Sequence, residues 1–164
     1  MILSVHTGRI INPNHKLRNA KRMGQRIDVN RKALVVEDDA ELRFLAVALL
    51  EETDLEIVEA SSGEEALQYL HHHADEVAFL FSDVRLPCLM SGVDLARTVS
   101  LKWPWIRTVL TSGAPLEEVS NTALRDVRFM PKPWRALEVL IEAEKASDTH
   151  HMGEVLSRGH AGTH

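Results

Sequence analysis

The chain has 164 residues, 45% hydrophobic and 26% charged, with a net charge of −5. This points to one domain with extensions rather than two domains, and the apolar content is enough for a core. A single cysteine, Cys88, excludes a disulfide framework within one chain, and no apolar stretch is long enough to span a bilayer or to form the core of a secretion signal, so the expected setting is a reducing cytoplasm.

The charge is unevenly spread. Residues 1–32 carry eight Lys or Arg and one Asp, whereas residues 33–146 carry ten basic and twenty-one acidic side chains. A basic arm on an acidic body argues for two physical roles. The arm shows no sustained period, and Asn12-Pro13-Asn14 is a turn signal, so it reads as mostly disordered. Lys16, Arg18, Lys21, Arg22 and Arg26 could contact nucleic acid or another acidic surface, but no aromatic residue interleaves them, so nucleic acid is not the expected partner. Met23 is an alternative start.

Order begins at Ala33-Leu34-Val35-Val36, a short β-type run ending in Glu37-Asp38-Asp39. A helix is expected from about Ala40 to Glu52, with Leu42, Leu45 and Leu49 at helical spacing. Leu55 to Ala60 reads as a second, more polar strand nearer an edge. Ser61 or Ser62 caps the next helix, and Ser62 with Glu65 has the spacing of a capping box. Its inward residues are Ala66, Leu67 and Leu70. Val77 to Phe81 is a continuous apolar run that suits a strand buried on both faces, and Asp83 stands where it ends.

Pro87 and Gly92 mark the loop that follows. Gly92 opens a helix burying Leu95, Ala96 and Val99, which stops near Trp103-Pro104. Ile106 to Leu110 is a fourth strand ending in Thr111-Ser112-Gly113. Pro115 to Leu124 has the length of a short helix. Val127 to Met130 is a fifth strand ending in Pro131-Lys132-Pro133. A last helix runs from about Trp134 to Ala146, burying Leu137, Leu140 and Ile141. From Ser147 to His164 the chain is aperiodic and reads as a disordered tail.

Five strands alternating with helices predict an α/β fold: a doubly wound, five-stranded parallel sheet with helices on both faces. In the flavodoxin-like order 2-1-3-4-5 the switch point lies between the first and third strands, and chemistry sits at the carboxyl ends of strands. Those ends carry Glu37 and Asp38, Asp83, Thr111 and Lys132. Three carboxylates brought together would repel and resist ionising. A hard divalent cation relieves this, and Mg²⁺ accepts carboxylates, a carbonyl, waters and a phosphoryl oxygen at about 2.0–2.1 Å. An Asp83 oxygen could then attack a phosphoryl group, with Lys132 and Thr111 supplying charge and a hydrogen bond to the transferring oxygens.

The motifs VVEDD, FSDVRLP, VLTSG and FMPKPW, in that order, make the chain from about Ala33 to Ala146 resemble the receiver domain of bacterial response regulators, stand-alone regulators among them. The resemblance implies that Asp83 is the phosphoacceptor and that Glu37 and Asp38 are the acidic pair, with Asp38 the more direct ligand of Mg²⁺. It implies that the Arg85 backbone carbonyl completes the protein ligands. Thr111 falls at the switch hydroxyl, Lys132 at the phosphoryl-contacting lysine and Phe129 at the aromatic switch position, and Lys132-Pro133 resembles the family's cis peptide bond.

It further implies a single-domain regulator rather than an enzyme. A histidine kinase or phosphotransfer protein would donate the phosphoryl group, slow self-hydrolysis would remove it, and the output would be altered binding of a downstream protein through the fourth helix, fifth strand and fifth helix. A homodimer is among its possible assemblies.

The chain departs from the family pattern in three places. Gly92 lies five positions after Pro87, not four. Glu37 replaces the commoner Asp. Arg85 puts a cation beside the site, expected to face solvent. Two other functions fit parts of the pattern: a receiver-shaped adaptor that needs no phosphorylation, and a phosphatase with an aspartyl nucleophile. The second would want an acid two residues past Asp83, where Arg85 stands. His71-His72-His73 does not have the spacing of a chelate on one helix face and reads as a solvated helix end. Cys88 carries no mark of a low-pKa thiol.

Overall fold

The computed structural model describes residues 31–114 and 124–158. Strands β1 (Lys32–Val36), β2 (Glu56–Ala60), β3 (Val77–Asp83), β4 (Arg107–Ser112) and β5 (Arg128–Pro131) alternate with helices α1 (Ala40–Leu50), α2 (Gly63–His73), α3 (Gly92–Lys102) and α4 (Ala136–Arg158). The strands form one parallel sheet in the order β2-β1-β3-β4-β5. This is the predicted doubly wound sheet. β2 is an edge strand, as its polar residues suggest, and β3 is the middle one.

Strand periodicity divides the core in two. Ala33, Val35, Phe79 and Phe81 point to the face covered by α1 and α4, where they meet Ala46, Leu50, Val139 and Ala143. Leu34, Val36 and Leu80 point to the other face and meet Ala66, Leu70, Leu95 and Val99 of α2 and α3. A third cluster joins Ala96, Leu110, Leu124 and Val127. Full burial of a side chain such as Phe79 contributes about 2–3 kcal/mol of transfer free energy, which is why the unbroken apolar run lies in the central strand.

The helix starts are set by local chemistry. Asp39 Oδ1 accepts the N–H groups of Glu41 and Leu42 at 2.9 and 3.0 Å and caps α1. Ser62 caps α2 through the Glu65 N–H, but the Glu65 carboxylate turns to Ser61 instead, at 2.7 Å from its backbone N. The complete capping box belongs to α3, where Ser91 and Asp94 each bond the other's backbone N–H.

Several expectations are corrected. Leu45 is 55% exposed, and Leu137 and Ile141 are 69% and 40% exposed. α1 is apolar nearly all round, and the small Ala46, with Leu50, lets it lie close to the sheet. α4 does the same with Val139, Ala143 and Ala146. α4 does not stop at Ala146 but runs to Arg158, so residues 147–158 are helical rather than a disordered tail. Extending a formed helix costs far less than starting one, and no proline stops it. β1 begins at Lys32, inside the expected arm, because the Arg31 carbonyl accepts the Glu56 N–H and the Lys32 N–H reaches the Glu76 carbonyl. The arm before Arg31, the expected helix at 115–124 up to Leu124, and residues 159–164 lie outside the described residues.

Candidate functional site

β1 and β3 are neighbours in the sheet, yet the chain leaves β1 toward β2 and β3 toward β4. Their carboxyl ends therefore border the crevice of the switch point. Glu37 follows β1 directly and Asp83 is the last residue of β3. Glu37, Asp38 and Asp83 each place a carboxylate oxygen within 4.8 Å of the others. Lys132, directly after β5, reaches across to them: Nζ lies 2.8 Å from Asp83 Oδ2 and 2.9 Å from Glu37 Oε2. Five-strand topology thus brings together residues up to 95 positions apart.

Thr111 is level with Asp83 on the adjacent strand, so the two side chains share one face of the sheet. Its hydroxyl is fully buried and donates to the Ser82 carbonyl at 3.5 Å, the outer limit of a hydrogen bond. The Arg85 side chain is exposed, as expected, and its backbone N–H donates to Asp83 Oδ1 at 3.1 Å. Phe129 is half-buried against the third cluster, beside Leu110. The Lys132–Pro133 peptide is cis.

Close backbone approach fixes the floor of the site. A Cβ on Gly92 would lie 1.8 Å from the Asp83 carbonyl oxygen, so only glycine lets α3 begin under the acid. The Gly92 N–H donates to the Val84 carbonyl, and the Val84 N–H to that of Thr111, both at 2.9 Å.

The electrostatics are unbalanced. Burial pushes the Glu37 carboxyl above its ordinary 4.5, and the charge of Asp83 adds to this; Lys132 and the Asp39 N–H oppose it. Burial works against the Lys132 ammonium too, but hydrogen bonds and charge from Asp83 and Glu37 outweigh it and raise its pKa. One ammonium among three carboxylates leaves two negative charges uncompensated, the charge of one divalent cation. The all-oxygen donor set suits a hard ion such as Mg²⁺.

Two residues of this rim escape the sequence reading. Arg43 on α1 donates to the Glu37 carbonyl at 2.8 Å and to Glu59 at 3.1 Å. Glu64 on α2 accepts the backbone N–H groups of Leu89 and Met90. Both bonds cross between elements, and no local pattern announces them. The histidine run behaves as expected: His71 and His72 are exposed, His71 meets Trp103, and His73 meets Tyr69 and Glu76. Among the described residues, the acid trio is the one group with the spacing of a metal site.

Comparison with known proteins agrees with this geometry. Residues 33–143 match the response regulator receiver domain family. The chain belongs to that family. Relatives include the sensor kinase CckA of Brucella abortus, 32% identical over 103 residues, and the transcriptional regulatory protein CpxR of Escherichia coli, 29% identical over 124 residues. These matches cover 62% and 75% of this chain but only 11% of CckA and 52% of CpxR. The signal receiver domain of an HD domain-containing protein from Pseudomonas fluorescens shares the fold, with a TM-score of 0.66 and 24% identity over 75% of this chain and 98% of that one. Receiver domains of this family are parts of two-component systems and act mainly as phosphoacceptors, with phosphorylation and magnesium standard among them. Among the described residues, no helix is long and apolar enough to cross a membrane.

Proposed function

We propose that this receiver accepts a phosphoryl group on Asp83 from a histidine kinase or phosphotransfer protein, with Mg²⁺, and signals by changing what its surface binds. The observation that carries the reading is the Lys132 ammonium held at 2.8 and 2.9 Å between Asp83 and Glu37, with Asp38 beside them at the switch point. Glu37, Asp38, Asp83 and the Arg85 carbonyl would hold the metal, which when bound neutralises charge on the transferring oxygens.

In the transfer, an Asp83 carboxylate oxygen forms a bond to phosphorus as the bond from phosphorus to the donor histidine nitrogen breaks. That nitrogen keeps the electron pair and takes up a proton. Lys132 is already aimed at the acceptor oxygen and can follow the charge outward onto the new phosphoryl oxygens. Thr111, whose bond to Ser82 is long, can turn its hydroxyl to the same group. Phe129 packs beside Leu110, one residue from Thr111; in this reading it follows that turn, and the surface it belongs to carries the output.

The test is labelling with acetyl phosphate. The wild-type protein should gain an acid-stable, alkali-labile phosphate only when Mg²⁺ is present, and Asp83→Asn should gain none. Equal labelling of the variant, or none of the wild type, would overturn the reading.

A further inference from the structure

The loop from Val84 to Ser91 carries the Arg85 backbone beside the acceptor, and it is fastened along its length. At its start, the Arg85 N–H is bound to Asp83 Oδ1 at 3.1 Å. In the middle, Leu86 and Met90 pack against the cluster under α2 and α3. At its far side, Oε1 of Glu64 accepts the Leu89 N–H at 3.0 Å and the Met90 N–H at 2.9 Å. The seat on α2 is tight: a Cβ on Gly63 would lie 2.9 Å from Met90 Cγ and 3.0 Å from the Met90 carbonyl oxygen.

Little freedom is left between those anchors. Leu86, Pro87 and Cys88 join Arg85 to Leu89. The ring of Pro87 fixes its own φ. Cys88 has φ 71°, a left-handed conformation that a non-glycine residue keeps only when its surroundings hold it. Two N–H donors on one carboxylate oxygen are charge-assisted bonds, stronger than neutral ones. The Glu64 carboxyl is held below its ordinary range, first by its own backbone N–H and then, against desolvation, by those of Met90 and Leu89.

We propose that Glu64 is a positioning residue for phosphoryl acceptance: it locks the loop that presents the Arg85 backbone to the acceptor carboxylate. The inference rests on the phosphoacceptor reading of Asp83. With the lock removed, the loop must be ordered each time metal and phosphoryl group bind, and that entropy is charged to affinity and rate.

The experiment measures acetyl phosphate labelling rate and half-saturating Mg²⁺ in the full chain. Glu64→Ala should label about fivefold more slowly and need more Mg²⁺, while remaining folded at the assay temperature. Glu64→Gln keeps the accepting oxygen and should stay within about twofold of wild type. Gly63→Ala leaves Glu64 in place but crowds Met90, and should slow labelling in the same direction by about two- to threefold. Wild-type-like rate and Mg²⁺ dependence in Glu64→Ala would overturn the proposal while leaving Asp83 as acceptor. Glu64→Gln as slow as Glu64→Ala would also overturn it. A wild type that takes no label would bring down the phosphoacceptor reading itself.

Discussion

Glu37 and Glu142 are both buried, at 3% and 6% exposure, one at each rim of the sheet, and their surroundings push them in opposite directions. Glu142 on α4 meets Arg107, the first residue of β4, at 2.5 Å and Lys145 at 2.9 Å. Burial opposes its ionisation, but the hydrogen bonds and charges of Lys145 and Arg107 outweigh that and hold the carboxyl below 4.5. Two cations serve one acid. At the other rim one cation is shared between Glu37 and Asp83, with Asp38 close by, and burial leaves the Glu37 carboxyl above 4.5. The amino-end rim is a finished ion cluster that ties α4 to β4. At the carboxyl-end rim the acid trio is short of positive charge, and that shortage is what an incoming cation can use.

The largest contrast is in stability without metal. Removing Glu142 strips a buried acid from two partners. Complete burial of such a cluster would cost about 3–5 kcal/mol on breaking it, but Arg107 and Lys145 are 34% and 52% exposed and can turn to water. Glu142→Gln should therefore lose about 2 kcal/mol. Glu37→Gln removes one of three crowded carboxylates and should cost nothing or gain up to about 1 kcal/mol. Urea unfolding at neutral pH with a chelator present measures both. Equal losses in the two variants would erase the distinction between the rims.

The sequence exposes one rim better than the other. An apolar run that ends in a carboxylate is a local pattern, so Asp83 and the pair Glu37 and Asp38 stand out, and βα alternation fixes the strand order that gathers them with Thr111 and Lys132. Glu142 lies in mid-helix, 35 positions from Arg107, and nothing local joins them. Arg43 and Glu64 escape for the same reason. Helical spacing also misplaces Leu45, Leu137 and Ile141, because α1 and α4 offer overlapping apolar stripes and the small alanines decide which one approaches the sheet. The end of α4 at Arg158 is hidden because a helix can continue without an apolar period once it is formed.

Metal addition should act on one rim alone. A ligand that binds only the folded state stabilises it by about 1.4 kcal/mol at ten times its dissociation constant. Mg²⁺ should raise the unfolding midpoint of the wild type and of Glu142→Gln alike, since that cluster has no vacancy for a cation. Asp38→Ala removes a carboxylate from the acid trio and should abolish the shift. Thermal unfolding across a Mg²⁺ titration reads all three, and a full shift in Asp38→Ala would remove the trio from the metal site.

The smallest effect is the most specific. Folding favours the ionised form of Glu142, so its contribution is complete above its ordinary 4.5 and is lost as pH falls through its lower folded value. Folding disfavours the ionised form of Glu37, so the penalty is complete above its raised folded value and fades as pH falls through that value toward 4.5. Without metal, acidification from neutral pH should first relieve Glu37 and then, below 4.5, release Glu142. Glu37→Gln should flatten the first change and leave the second, while Glu142→Gln should do the reverse. Urea midpoints taken at steps of pH resolve the two. If Glu37→Gln keeps the wild-type slope above 4.5, some other group carries the strain at the carboxyl-end rim, and the shortage of positive charge there is not centred on Glu37.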